Sequence, residues 1–176
     1  MRETIGSTWI FTLAITFTLI FAGFLVIALS YSRTYKQKND LTSIIEKYEG
    51  LTTKSTYKKS IVGSINVMNT YLNNNNYKMK GVCQDIDDVY EATETINKMY
   101  GFNIDGTYEQ ATEGKKYNFC VLAMTNNKTC TTIFRVTLFF DFNLPVLGDL
   151  VRFKVSGQTN EIQDAFILDT QTKCNK

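Results

Sequence analysis

The sequence predicts an α+β fold in which a long N-terminal transmembrane helix continues as an amphipathic extension packed on a small antiparallel β-sheet. Three observations carry this prediction. Residues 4–32 contain no charged side chain, and about 20 apolar residues span a bilayer as a helix. Residues 33–50 keep apolar side chains at helical spacing. Residues 117–162 contain runs of alternating apolar and polar side chains, as half-buried strands do.

The uncharged N-terminal segment is interpreted as a retained membrane anchor at residues 1–32. A cleaved secretory signal has an apolar region of about 7 to 15 residues; this segment is longer, although Arg2 and Ser30 could mark the ends of such a signal. A core helix can also be apolar on all sides, but no other part of the chain could enclose it. Trp9 and Tyr31 lie near opposite ends of the segment, where aromatic residues concentrate in membrane helices.

Small and hydroxyl residues fall along one stripe of the anchor. Such residues let helices approach closely in lipid, where apolar side chains alone provide no force for association. The stripe therefore predicts a partner helix, which could be a second copy of this chain. The sequence equally allows each threonine hydroxyl to bond the carbonyl four residues earlier in its own helix. The residues of this helix-packing stripe are Thr8, Thr12, Thr16, Gly23 and Ser30.

The anchor passes directly into the amphipathic extension at residues 33–50. No proline interrupts residues 4–49, and Gly23 is the only glycine after Gly6 within them. An interior glycine costs only about 1 kcal/mol relative to alanine. We therefore predict one helix of about 45 residues, about 65 Å long, with Gly50 as its C-cap. The apolar residues that continue the helical spacing beyond the anchor are Tyr31, Tyr35, Leu41, Ile44, Ile45 and Tyr48.

Two further helices are predicted before the strands. The asparagines at residues 73–76 end the first, because asparagine tolerates a left-handed backbone. The second is a short helix within residues 85–101, whose three aspartates lack the spacing of a calcium loop and suit N-capping better. Asn103, Asp105 and Gly106 then predict a turn. The apolar positions of the first of these helices are Tyr57, Ile61, Ile65, Met68 and Leu72.

The C-terminal part predicts three antiparallel strands, at residues 117–124, 130–144 and 150–162. Asn126 and Asn127 suit a hairpin turn between the first two. Three strands with one apolar face need a cover, and the extension of the long helix is the natural candidate. The apolar face comprises Phe134, Val136, Leu138 and Phe140 in the second strand and Val151, Phe153 and Val155 in the third.

Composition argues against catalysis and nucleic-acid binding. The net charge is only +2, with basic and acidic residues interspersed, so there is no basic stripe of the kind that binds nucleic acid. The chain has no histidine, the commonest general base and metal ligand. It also lacks nucleophile motifs and glycine-rich phosphate loops. We predict a protein that is not an enzyme and needs no cofactor or metal.

Four cysteines, Cys83, Cys120, Cys130 and Cys174, lie beyond the anchor. Their even number, without C-x-x-C spacing or histidine, favours two disulfides in an oxidising compartment over zinc. Free buried thiols are the alternative interpretation. We predict the pairs Cys83–Cys120 and Cys130–Cys174, since closing long loops constrains the unfolded chain by about 3 to 4 kcal/mol. The competing pair, Cys120–Cys130, would bridge neighbouring hairpin strands.

Two segments carry a resemblance to known proteins. The sequence FRVTLFFDFNLPVLGDLVRFKVSGQT (134–159) has a strand, a proline-containing apolar turn and a second strand, and ETIGSTWIFTLAITFTLIFAGF (3–24) has a short polar start and a hydrophobic helix. Both resemble TadE-like minor pilins of Tad-type pilus systems, and the helix-on-sheet plan resembles type IV pilin-like proteins. The prepilin processing pattern, a glycine before a hydrophobic residue with glutamate at the fifth position, is not visible near Met1.

The resemblance implies a non-catalytic, pilin-like or minor-pilin-like subunit of a pilus or secretion-type assembly, whose partners are other pilin-like or secretion-system subunits. The alternative is a membrane-tethered extracellular binding or accessory module unrelated to pili. Arg33, Lys36 and Lys38 follow the anchor and only Arg2 precedes it, which would favour a cytoplasmic domain. The cysteines and the resemblance favour the opposite. We expect a cell-membrane protein with its soluble domain, residues 51–176, outside the cytoplasm.

Overall fold

The computed structural model describes residues 2–54, 62–83, 95–126, 128–144 and 148–172. These ranges form an α+β fold with one long apolar N-terminal helix and several antiparallel strand pairings, which confirms the coarse fold class. The elements are α1 (Arg2–Lys47), β1 (Gly50–Leu51), α2 (Ser64–Asn74), β2 (Gly81–Val82), β3 (Thr95–Phe102), β4 (Tyr108–Gln110), β5 (Lys116–Tyr117), β6 (Phe119–Asn126), β7 (Thr131–Leu144), β8 (Gly148–Gln158), β9 (Ile162–Gln163), β10 (Phe166–Ile167) and β11 (Thr170–Gln171).

The long helix α1 forms as predicted and runs without a break past Arg33. It ends at Lys47, and Glu49 adopts a left-handed conformation with φ of 55°. The prediction of Gly50 as the C-cap is wrong. Gly50 is the first residue of β1 and pairs with Phe166. A Cβ atom at Gly50 would lie 2.2 Å from the Phe166 carbonyl oxygen. This close approach, together with a φ of +131°, requires glycine at the position.

The main sheet has the strand order β4-β3-β6-β7-β8, with β9 pairing to β7 beside it. Its pairings are antiparallel. The alternation predicted for β7 is confirmed, because Phe134, Val136 and Leu138 are buried in one cluster. The helices α1 and α2 cover this face through Leu41, Ile45, Met68 and Leu72, among others. The extension of the long helix is therefore the cover that the sheet needed.

The centre of the sheet is buried on its other face too. Cys120 and Leu122 of β6 point into a second cluster, which also contains Phe139 and Tyr117. The strand predicted at residues 117–124 is divided at Asn118 into β5 and β6. The buried side chain of Asn118 donates to the Met79 carbonyl at 2.8 Å and accepts the N–H of Ile104 at 3.2 Å.

The helix predicted within residues 85–101 is wrong over residues 95–101, which belong to β3; residues 84–94 lie outside the described ranges. The spacing of Ile96, Met99 and Tyr100 imitates a helix. Met99 and Tyr100 are buried in different clusters, one on each face of the sheet. A strand buried on both faces loses the alternation that distinguishes strands from helices in a sequence.

The predicted helix that ends at the asparagines is confirmed over α2, where Ile65, Met68 and Leu72 are buried. It begins only at Ser64, since Val62 and Gly63 are not helical. Tyr57 and Ile61 lie outside the described residues. As predicted, asparagines end the helix and the chain turns at Gly106. The third predicted strand is divided into β8 and β9. Asn127, of the predicted hairpin turn, lies outside the described residues.

Candidate functional site at the membrane boundary

The N-terminal half of α1 presents apolar side chains in all directions. From Trp9 to Leu29, the large apolar side chains other than Ile27 are 45–70% exposed. The most apolar 18-residue window has a mean hydropathy of 2.5, and none of it is buried against the rest of the chain. Among the described residues this is the one helix long and apolar enough to cross a membrane. A single membrane span is the arrangement that such a helix supports.

Two hydroxyls of the predicted helix-packing stripe are bonded within the helix. The Thr12 hydroxyl donates to the Thr8 carbonyl at 3.0 Å, and the Thr16 hydroxyl donates to the Thr12 carbonyl at 2.8 Å. Thr18, which is not part of the stripe, bonds in the same way to Ala14. Back-bonding is thus general in this helix, and contact between the stripe and a partner helix stays a prediction.

The stripe lies on the same side of α1 as the sheet domain. At 3.6 residues per turn, the stripe from Thr8 to Ser30 occupies a sector of about 80°. Thr34 and Leu41, which are buried under the domain, fall within the same sector when the helix is continued. The face of α1 that binds the domain therefore continues the stripe towards the C-terminus of the helix.

The extension meets the sheet through a more polar face than the sequence predicted. Tyr31 and Tyr35, expected to face the domain, are 49% and 45% exposed. Thr34, Gln37 and Lys38 are buried instead. Sequence reasoning missed these polar residues because it followed the apolar ones. Their spacing from Leu41, at helical intervals, was the available signal.

Lys38 is buried without an acidic partner in the described part of the chain. Its ammonium lies 4.0 Å from the centre of the Tyr35 ring, in a cation–π contact. Its aliphatic stem runs over Gly157 of β8, where an added Cβ would lie 2.5 Å from Lys38 Cδ. The glycine thus leaves the space in which the lysine stem packs against the sheet.

A cavity of about 140 Å³, the boundary cavity, opens where the apolar run of α1 ends. It lies between α1, the segment that follows α2, and β7. Arg33, Gln37, Lys78 and Phe140 line it, together with Tyr77 and Asp141 among others. The Arg33 guanidinium donates to the Asn75 carbonyl at 2.9 Å, which fixes the position of this cation relative to the end of α2.

Tyr77 forms part of the wall of the boundary cavity. Its hydroxyl accepts the N–H of Phe139 and donates to the carbonyl of the same residue, both at 2.8 Å. Burial raises the pKa of Tyr77 well above its ordinary value. The residue is therefore a neutral phenol at physiological pH, and it holds the segment after α2 to β7.

An aromatic group stands beside the boundary cavity. The Phe140 ring stacks on Phe153 at 5.0 Å and meets Tyr31 edge-on at 6.0 Å. Tyr31 in turn stacks on Tyr35 at 6.1 Å. Phe153 and both tyrosines are partly exposed. Aromatic residues in this position, directly after the apolar run, are typical of the membrane–water interface.

A disulfide joins Cys83 to Cys120, with the two Cα atoms 5.7 Å apart. It matches the first of the two predicted pairings and rules out the competing bond between Cys120 and Cys130. Cys174, and with it the pairing Cys130–Cys174, lies outside the described residues. The bond ties the segment before β3 to the central strand β6 within the second core cluster.

Polar contacts away from the cavity link the elements of the domain. The Tyr71 hydroxyl of α2 donates to the Asp40 carboxylate of α1. Burial and this contact raise the pKa of Tyr71 to about 12. The Asp169 carboxylate accepts the backbone N–H of Thr53 at 2.8 Å. Within the described ranges, no group of three or more cysteine or acidic residues is arranged to hold a metal ion.

Comparison of the chain with protein-family models, curated proteins and solved structures finds no match. The membrane segment, the boundary cavity and the disulfide are therefore the observations on which a functional proposal rests.

Proposed function

We propose that this chain is a non-catalytic, single-pass membrane subunit of a pilin-like or TadE-like assembly, with its sheet domain held outside the cytoplasm. The observation that carries the proposal is the division of α1. One half of the helix is covered by the domain, and the other half is predominantly apolar and uncovered. Lipid or neighbouring helices must surround the uncovered half.

The position of the stripe favours neighbouring helices in a staggered arrangement. Because the stripe and the domain share one side of α1, two parallel copies that met stripe to stripe at the same height would bring their domains into the same space. The stripe must instead meet a different face of its neighbour. Contacts between unlike faces generate rings or open helical filaments, and pilin-like assemblies are filaments of this kind.

The extracytoplasmic placement rests on the disulfide. Disulfides persist in oxidising compartments and are rare in the cytoplasm, and the bond between Cys83 and Cys120 lies in the core of the domain. The absence of histidine from the chain, and of nucleophile motifs, supports a role in assembly over a role in catalysis.

The test is to enlarge the stripe without altering membrane insertion. In one variant Thr12, Thr16 and Gly23 become leucine; in the control, Thr12 and Thr16 become serine and Gly23 becomes alanine, which keeps the stripe small. Two differently tagged copies are expressed together, and their co-purification from membranes is measured. We expect the stripe variant to lose co-purification at least about tenfold, equivalent to about 1.4 kcal/mol, and the control variant to retain it.

Both variants should remain in the membrane fraction, because leucine is at least as apolar as the residues it replaces and the serines and alanine of the control differ little from the residues they replace. If the stripe variant and the parent recover the same partners equally, the stripe has no role in packing. A parent protein that recovers neither its own copies nor other membrane subunits would favour the alternative, a tethered module that acts alone.

A further inference from the structure

We infer that the boundary cavity binds the phosphate group of an anionic phospholipid, drawn from the leaflet on the domain's side of the membrane. This inference requires that α1 spans a bilayer, but it does not depend on assembly into a filament. It concerns a site formed by three separate segments of the chain: the start of the extension, the segment after α2, and β7.

The cavity lies at the depth of the lipid headgroups. Ser30 and Arg33 both line it, and Arg33 is the first charged residue after the uncharged run of α1. When that run occupies the hydrocarbon core, the next turn of helix lies among headgroups. Tyr31, within the same turn, carries the aromatic contact with Phe140 that is typical of this level.

The charges at the cavity suit a phosphate. Arg33 and Lys78 both line it, and Asp141 is the acidic residue among the lining residues, so the balance is positive. A guanidinium has five N–H donors, and Arg33 uses its Nη2 on the Asn75 carbonyl. The remaining donors can bind phosphate oxygens in the forked geometry that arginine favours. Lys78 forms no ion pair within the described ranges.

A polar side chain opens onto the cavity. Gln37 is only 4% exposed and lines the cavity, and it is not among the residues whose fully buried polar atoms lack a partner, so its amide is open to the space of the cavity. The amide N–H of Gln37 can donate a hydrogen bond to an occupant that accepts one, such as a phosphate oxygen. The cavity volume of about 140 Å³ is about ten times what one water molecule requires.

The neighbouring aromatic group distinguishes a lipid from a free anion. Phe140 belongs both to the cavity wall and to the stack with Phe153. A phosphate bound by Arg33 would therefore have an apolar surface directly beside it, continuous with the apolar half of α1. The glycerol and upper acyl chain of a phospholipid would cover that surface, whereas inorganic phosphate would leave it bare.

The first measurement compares lipids retained by the full-length protein. The protein is reconstituted in nanodiscs with equal phosphatidylglycerol and phosphatidylcholine, extracted in mild detergent, and its bound lipids are quantified by mass spectrometry. We expect phosphatidylglycerol to be enriched in the parent. The double variant Arg33→Gln with Lys78→Gln should lower the enrichment about thirtyfold. The control, Lys47→Gln with Lys98→Gln, loses the same charge away from the cavity and should retain the enrichment.

The second variant, Gln37→Leu, separates the cavity from general surface charge. It leaves the net charge unchanged and removes only the buried amide, so we expect about a fivefold loss of phosphatidylglycerol enrichment. Its melting temperature in phosphatidylcholine should be unchanged or higher, since an apolar side chain of similar size keeps the packing. Full enrichment in this variant would show that the cavity does not hold the phosphate and would overturn the inference.

A third arm separates lipid from free phosphate. Inorganic phosphate, added at a large excess to the detergent-extracted parent, should leave phosphatidylglycerol bound. Displacement of the lipid would overturn the assignment to a phospholipid in favour of a general phosphate site. Loss of lipid enrichment with intact co-purification of copies would contradict this inference alone. Intact enrichment with failed co-purification would contradict only the proposed assembly.

Discussion

The two halves of α1 share one continuous backbone but have opposite surroundings. The N-terminal half exposes Trp9, Phe17 and Phe24 along with nearly all its other large side chains. The C-terminal half buries Leu41 and Ile45 completely in the main core cluster. The difference teaches that helix formation and helix burial are determined separately. Local sequence makes both halves helical, and the rest of the chain covers only one of them.

The two halves should consequently contribute differently to stability. Burying a large apolar side chain is worth about 1.5 to 3 kcal/mol relative to leaving it in water. In the C-terminal half this free energy stabilises the domain. In the N-terminal half it is realised only in lipid or against another helix, so it favours membrane insertion and contributes little to folding of the domain.

The largest expected difference is between two leucine truncations, one in each half of α1. Leu41→Ala should lower the free energy of unfolding of the domain by about 2 to 5 kcal/mol, because it leaves a cavity in the core. Leu25→Ala, the matched control in the exposed half, should change it by less than about 0.5 kcal/mol. Denaturant unfolding in detergent, followed by near-ultraviolet circular dichroism, measures both. Equal losses in the two variants would contradict the division of the helix.

A smaller effect tests how the C-terminal half meets the sheet. Gly157→Ala should destabilise the domain by less than about 1 kcal/mol, because the added methyl group collides with the far end of the flexible Lys38 side chain, which can shift. In a Lys38→Ala background the same change should cost much less, since the colliding atoms are gone. The difference between the two costs, obtained as a double-mutant cycle, measures this contact. A cost that is independent of Lys38 would mean that the backbone of β8, and not the lysine, is perturbed.

The parts of the fold that the sequence predicted are those with one clear periodicity. The helix α1 could be predicted because no proline interrupts it, and β7 because Phe134, Val136 and Leu138 alternate with polar neighbours on a sheet with one main apolar face. The strand β3 could not, because Met99 and Tyr100 are buried on opposite faces. The polar contact face of α1 was missed for a related reason: Lys38 packs through its stem, which a hydrophobicity pattern does not register.

Of the candidate site, only the apolar run of α1 and the aromatic residues at its end could be predicted from the sequence. The uncharged run and its aromatic end are local features of the sequence. The boundary cavity joins Arg33, Lys78 and Phe140, residues that are distant in the chain and brought together by the packing of three segments. No spacing rule connects them. The pairing of Cys83 with Cys120 was inferred from loop length, and its place in the second core cluster became visible only in the structure.

The smallest expected effect is a pH dependence at the contact between the extension and α2. The pKa of Tyr71 is raised from its ordinary value of 10.0 to about 12, by burial and by its hydrogen bond to Asp40. Because the folded state holds the phenolic proton more tightly than the unfolded state, this contribution to stability is fully present below pH 10. It is lost as the pH rises from about 10 to 12.

Tyr71→Phe should remove this part of the pH dependence, because the phenylalanine ring keeps the packing and has no proton to lose. The measurement is the difference in unfolding free energy between the parent and Tyr71→Phe, taken from pH 8 to pH 12. Taking the difference cancels the titration of the other tyrosines, including Tyr77 and Tyr100, whose pKa values burial also raises. We expect the advantage of the parent to decline across this range. A constant difference would show that the hydroxyl of Tyr71 does not couple α1 to α2, and that packing alone holds the two helices together.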